Sequence, residues 1–296
     1  MLQKVRSLRN QRGDVTLFML MAIMLGFLAV AMGLSDDVNR RMRYALTDDQ
    51  TAYIQMLTGR LKDAYGNLLR SRGNASYTAH SVYILDNPGT ISAAQLLNAL
   101  GEPNPKYNVQ AYVTDLKTFS PCTDTTSCTG VTGLLTYRKI YLWIPPESGV
   151  DTSGVNAAGQ WVPDPIVTLW ETVDGTILQS EIFGTTQHAY DRLTQWVQQY
   201  FAARQLKGGG VSTNRFRAID CADSLSQTGL PCMDSATTAT SVFLQATGLT
   251  TSDLVDGWGF PIQISNTASA SVINLTSTQT QTNGQAFTVT RQILNP

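Results

Sequence analysis

"RGDVTLFMLMAIMLGFLAVAMGL" (residues 12–34) opens on a cation, a glycine and an acid, then runs on without another charge. A helix of about 20 uncharged residues is roughly 30 Å long, enough to cross a hydrocarbon core, so residues 15–34 read as a membrane-spanning helix. Lys4, Arg6, Arg9 and Arg12 precede the run. That bias keeps the N-terminus in the cytoplasm and sends the rest outward. A cleaved secretory signal competes with this reading, because Ala29-Val30-Ala31 has the small-x-small pattern of a cleavage site. The apolar run is longer than a typical signal core, however, and helical patterning continues past that site. The segment is therefore an anchor or an assembly handle rather than an export tag.

Beyond Leu34 the sequence turns amphipathic. Ile54, Leu57, Leu61, Ala64, Tyr65, Leu68 and Leu69 recur at three- and four-residue steps, the stripe of a helix buried along one side. No proline interrupts residues 14–70, and Arg72-Gly73-Asn74 ends the pattern. The expected fold class is α+β: one long helix, residues 14–72, with a membrane-spanning first half, packed on an antiparallel β-rich globular region. Residues 1–13 form a basic leader.

The remainder divides by pattern into a β-rich lobe, 73–180, and a second α+β lobe, 181–296. Ser92 to Leu100 predicts a short helix, alternation at Tyr107, Val109, Ala111 and Val113 a strand, and "LLTYRKIYLWI" (134–144) another. "PPESGVDTSGVNAAG" (145–159) is a loop by composition. A second amphipathic helix is expected from Thr185 to the Gly208-Gly209-Gly210 stop, with Tyr190, Leu193, Trp196, Val197, Tyr200 and Phe201 on its buried face. "FPIQIS" (260–265) and "QAFTVTRQIL" (285–294) read as strands, and the Thr/Ser/Gln-rich stretch between them as a solvated loop or sheet edge. The two halves rhyme: Gln50-x-Ala52-Tyr53 with Gln187-x-Ala189-Tyr190, and Leu97-x-Ala99-x-Gly101 with Leu244-x-Ala246-x-Gly248. Either a tandem duplication or two unrelated lobes accounts for this.

Charged residues make up only 15% of the 296, and the net charge of -1 gives no basis for nucleic-acid binding. The four cysteines form two local pairs, Cys122 with Cys128 and Cys221 with Cys232. Neither has metal-knuckle spacing and both histidines lie far away, so two short-loop disulfides in an oxidising compartment are expected, with no metal. The pairing rests on proximity; three connectivities are formally open. Gly-x-Ser-x-Gly, a phosphate-cradling glycine loop with Lys-Ser/Thr, and His-Glu-x-x-His are all missing from the sequence. No enzymatic activity, catalytic residue or cofactor is expected.

Residues 4–34 resemble the N-terminus of type IV pilins and pseudopilins, and "DGWGFPIQI" (256–264) resembles the Asp-x-Trp-Gly-x-Pro segment of major pseudopilins. The resemblance implies cleavage by a prepilin peptidase after Gly13, leaving Asp14 first, with N-methylation of the new terminus. It also implies assembly through an apolar helix carrying Phe18, Leu25, Leu28 and Leu34. The partners so implied are the peptidase, other pilin-like subunits and, before assembly, the bacterial inner membrane. The outer lobes would be periplasmic and then displayed on a cell-surface or periplasmic filament, for adhesion or a role at the tip.

This sequence departs from the family in having Asp14 first and Phe18 fifth, where the family usually has Phe and Glu. That favours a minor or specialised subunit, or a TadE/TadG-like relative, of a pilus, secretion or conjugation filament. The calcium site of major pseudopilins does not carry over, because no Asp or Glu follows Asp256. Trp258 then reads as a core residue under a Gly-Pro turn. The competing readings are a membrane-anchored extracytoplasmic binding protein that never polymerises and, last, an exported hydrolase.

Overall fold

The computed structural model describes residues 21, 24, 41–122, 128–145, 150–156, 160–165, 169–206, 244, 249–266 and 272–294. The chain divides into two compact units, 1–53 and 54–296. In the first, residues 41–53 are helical, and Thr47 and Thr51 turn their hydroxyls onto the carbonyls of Arg43 and Thr47 at 2.9 and 2.8 Å.

The second unit begins with helix α1, residues 54–70. Its three-four spacing places Ile54, Leu57, Leu61, Tyr65, Leu68 and Leu69 on one side, each at most 1% exposed, while Arg60 and Lys62 face water. Two 3₁₀ turns, Tyr77–Ala79 and Tyr83–Asp86, lead to the short helix α2, Ala93–Ala99. A reciprocal cap starts α2: the Ser92 hydroxyl accepts from Gln95 N, and the Gln95 amide oxygen accepts from Ser92 N.

Strands β1 (Gln110–Val113), β2 (Lys117–Phe119), β3 (Val131–Thr132), β4 (Leu135–Tyr137), β5 (Lys139–Trp143), β6 (Gly154–Val155), β7 (Trp161–Val162) and β8 (Trp170–Asp174) follow. Then come the long helix α3, Gly175–Leu206, and strands β9 (Gln263–Asn266), β10 (Val272–Thr280) and β11 (Ala286–Leu294). All pairings are antiparallel: a three-stranded sheet β1-β5-β8, a four-stranded sheet β3-β11-β10-β9, and two-stranded ribbons β2-β4 and β6-β7.

Helix α3 starts where only glycine fits. Gly175 N donates to Arg138 O at 3.0 Å, and a Cβ there would lie 2.6 Å from that same oxygen. Asp174 caps the helix, accepting from Thr176 N at 2.9 Å, and pairs with Lys139 at 2.7 Å. Those contacts hold its carboxyl below the usual range despite the opposing effect of burial. Leu178, Ile182, Tyr190, Leu193 and Val197 form the buried face of α3.

These observations correct the expected fold class of a long N-terminal helix with a membrane-spanning first half on two pilin-like lobes. Among the described residues, no helix is long and apolar enough to cross a membrane. The helical part that is described, 41–70, is exposed over its first turns and one-sided after them. The β-region does not separate into two lobes either. Strand β3 pairs with β11, through Thr132 with Thr288 and Val131 with Val289, and residues 54–296 form one unit built on several small sheets.

Three local expectations also change. The second helix begins ten residues earlier than Thr185, because burial of Leu178 and Ile182 outweighs the helix-weakening Gly184 and its neighbouring threonines. Trp196, placed on the buried face from sequence, is 38% exposed. The Thr/Ser/Gln-rich stretch supplies β10, a strand paired on both sides whose inward residues Ile273, Leu275, Ser277 and Gln279 are buried. Its threonines are β-branched and suit a strand whether or not they are polar.

Candidate functional site

The Asp256–Pro261 turn is the structural hub. Asp256 Oδ1 accepts from the backbone N of Trp258 and of Phe260, both at 2.9 Å, while Asp256 N donates to Phe260 O. Gly259 sits at φ +84°, as this turn requires. Gly257 lies so close to α3 that a Cβ would meet Ile182 O at 2.4 Å, and its N–H donates to Thr186 Oγ1 at 2.9 Å. On the other side Gly73 N, just past the end of α1, donates to Trp258 O at 2.9 Å. The turn thus ties the end of α1 to the middle of α3. Trp258 is fully buried and meets Phe287 of β11 edge-on, with centroids 5.6 Å apart.

From the turn a polar seam runs through the interior. The Trp258 indole N–H donates to Gln179 Oε1 at 2.6 Å, and Gln179 Nε2 donates to Thr136 O at 2.8 Å. Thr136 N and Oγ1 both donate to Gln281 Oε1, which also accepts from Arg72 at 2.8 Å. Arg72 grips Asp86 with two donors, one at 2.7 Å, and the Tyr77 hydroxyl donates to the same carboxylate. Burial works against the Arg72 charge, but the adjoining carboxylate overcomes it and holds the guanidinium above its ordinary pKa. The Tyr77 phenol is pushed up by burial and by Asp86.

At the other end Ser277 lies beside Asp256 and favours its ionised form. The Tyr190 hydroxyl lies 3.0 Å from Ser277 Oγ and 2.9 Å from Val289 O, and burial pushes its pKa up to about 12. Burial likewise raises Asp256 to about 6, against the hydrogen bonds it accepts. Beside the seam, Arg138 is fully buried and donates to the carbonyls of Leu85, Thr114, Asn87 and Gly89. Burial lowers its pKa. This side chain sits where the expected single strand 134–144 divides into β4 and β5.

A second cluster occupies the other face of the β1-β5-β8 sheet. Register places Tyr112, Tyr141, Trp143, Trp170 and Thr172 together on it. Trp161 of the β6-β7 hairpin lies over them: 5.0 Å and near-parallel to Tyr141, 5.4 Å from Trp143, 5.2 Å from Trp170. Tyr112 stacks next to Tyr141 at 6.3 Å. The Trp143 N–H donates to Asp151 Oδ2 at 2.8 Å, which with Ser153 N on Oδ1 fixes the approach to the hairpin. A third feature is a polar cleft of about 450 Å³ lined by Thr129, Gly130, Gln187, Thr290, Arg291 and Gln292. There Arg291 is held by Asp191 and by Gln187 Oε1 at 2.9 Å.

Of the residues singled out from sequence, Cys122 and Cys128 are disulfide-bonded, with Cα atoms 5.7 Å apart. Gly13, Asp14, Phe18, Leu25, Leu28, Leu34, Cys221 and Cys232 lie outside the described residues. His188 is exposed on α3 and His80 half-buried in a turn. Among the described residues, no group of three or more His, Cys, Asp or Glu is placed to hold a metal ion. Sequence reasoning missed the Arg72–Asp86 pair, Arg138 and the aromatic cluster. Only the last carried a signal: three of the chain's five tryptophans fall at 143, 161 and 170.

No protein-family model, no curated protein and no solved structure matches this chain.

Proposed function

We propose that the chain is a minor or specialised subunit of a type IV pilus or related secretion or conjugation filament. It is processed after Gly13, held at the inner membrane before assembly, and joined to its neighbours through the apolar segment 15–34. The observation that carries this reading is an order along one chain: basic residues, Gly13-Asp14, an uncharged run, then a helix whose stripe is buried in the globular unit. A second support is that the pseudopilin-like segment 256–261 caps the end of that helix through Gly73 and Trp258. Apolar helices packing on one another replace lipid with protein at little net cost, so van der Waals fit sets the register. Unit 54–296 then faces outward.

The test is the N-terminal sequence of the mature protein. A start at Asp14, with processing blocked by Gly13→Leu, is the expected result. A start at Met32 identifies a secreted protein, and an intact Met1 identifies an anchored protein that does not polymerise; either overturns the reading.

A further inference from the structure

We infer that the aromatic face of the β1-β5-β8 sheet is a binding site for neutral oligosaccharide, with the Trp170 indole as its stacking platform. The site belongs to unit 54–296 and stands whether or not the N-terminus is processed. Trp170 is 45% exposed, yet its ring is not loose: it rests on Trp161, which is 8% exposed and is itself stacked on Tyr141. A rigid, half-open indole backed by further rings loses little freedom on binding. Its negative π-face accepts the polarised C–H groups that a pyranose presents on its flatter side.

The surroundings select a sugar over other ligands. The register puts Gln110, Tyr112 and Tyr141 on the same face, so an amide and two phenol hydroxyls flank the rings. The cation on this face, Lys139, is paired with Asp174 at 2.7 Å, and the Asp151 carboxylate lies against Trp143, so the described residues of the face offer a phosphate no unpaired cation. Val155 stands across from Trp161 and adds an edge, but Val162 pairs with Gly154 and lies on the opposite side of the hairpin.

The test uses the full chain in a detergent without a sugar headgroup, titrated with chitotriose, cellotriose and maltotriose. Binding is read from tryptophan fluorescence and from saturation-transfer NMR of the sugar protons. At least one trisaccharide is expected to bind, with affinity reduced tenfold or more in Trp170→Ala and partly kept in Trp170→Phe, both variants unfolding cooperatively like the wild type. If Trp170→Ala fails to fold, Trp170→Leu, which keeps apolar bulk without a ring, takes its place and is expected to weaken binding tenfold or more. No binding of any of the three to the wild type overturns the inference, as does undiminished binding to the folded variants. Self-association that Trp170→Ala abolishes, without any effect of sugar, replaces it with a contact between copies of this chain.

Discussion

The polar seam and the aromatic face are built on opposite principles. The seam runs from Tyr77 through Arg72, Gln281, Thr136, Gln179 and Trp258 to Asp256, with Tyr190 beyond it, and joins the end of α1, helix α3, the 256–261 turn and strands from two sheets. Its contacts are directional, with Gln281 Nε2 the seam donor left without a partner among the described residues, and an unpaired charge at this depth is costly. The aromatic face holds by ring contact, tolerates small shifts, and leaves one indole half in water. The difference separates two jobs. The seam specifies how the elements come together, whereas the face leaves stacking surface available after they have done so.

The sharpest way to break this contrast is to cut the seam at its charge pair. Arg72→Met leaves the fully buried Asp86 carboxylate without its cation, and we expect a loss of about 3–5 kcal/mol in urea unfolding. Adding Asp86→Leu should recover part of that loss, since the uncompensated charge is then gone. Full stability in the single variant would mean that the seam specifies nothing. Next comes Gly257→Ala. Its Cβ would sit 2.4 Å from Ile182 O, so α3 and the turn must move apart, at a cost of about 1–3 kcal/mol by the same measurement.

How much of this was legible in the sequence follows from how each part is stabilised. The α1 stripe, the α2 cap and the alternation of β11 depend on neighbours in sequence, and the pattern displays them. Trp258 was readable as a core residue because a Gly-flanked indole beside proline has few other uses. Strand β10 was not readable, since Ser277 and Gln279 look solvated until the partners across the interior are known. Arg72, Asp86 and Arg138 were hidden for the same reason: their partners lie 9 to 209 residues away. The aromatic face depends on a strand register that brings 112, 141 and 172 level, which spacing alone does not encode.

The seam also carries a pH signature of its own. Asp256 is raised from 3.8 to about 6, so the folded state holds its proton more tightly than the unfolded chain does. Its contribution to stability is complete below about pH 4 and is lost as pH rises through about 6. The span between those values sets a ceiling near ~3 kcal/mol. Asp256→Asn keeps the Oδ1 acceptor for Trp258 N and Phe260 N while removing the titration. We expect the variant to be about 1–2 kcal/mol more stable than wild type at pH 7, to match it near pH 4, and to lose the slope between them. An unchanged slope would assign that pH dependence to other groups.

The smallest effect is expected where function is proposed. Trp170→Ala removes an indole that is already nearly half in water, at the end of the ring stack rather than its middle. The strand loses no backbone hydrogen bond, and Trp161 keeps Tyr141 and Trp143 as ring neighbours. We expect a stability change of about 1 kcal/mol or less, measured in the same urea series as Arg72→Met. A residue so nearly dispensable to the fold, on a face otherwise packed with rings, is one whose exposed side is free to serve a ligand. A loss as large as that of Arg72→Met would show instead that Trp170 holds the β6-β7 hairpin in place. The aromatic face would then be a second structural seam, built from rings in place of hydrogen bonds.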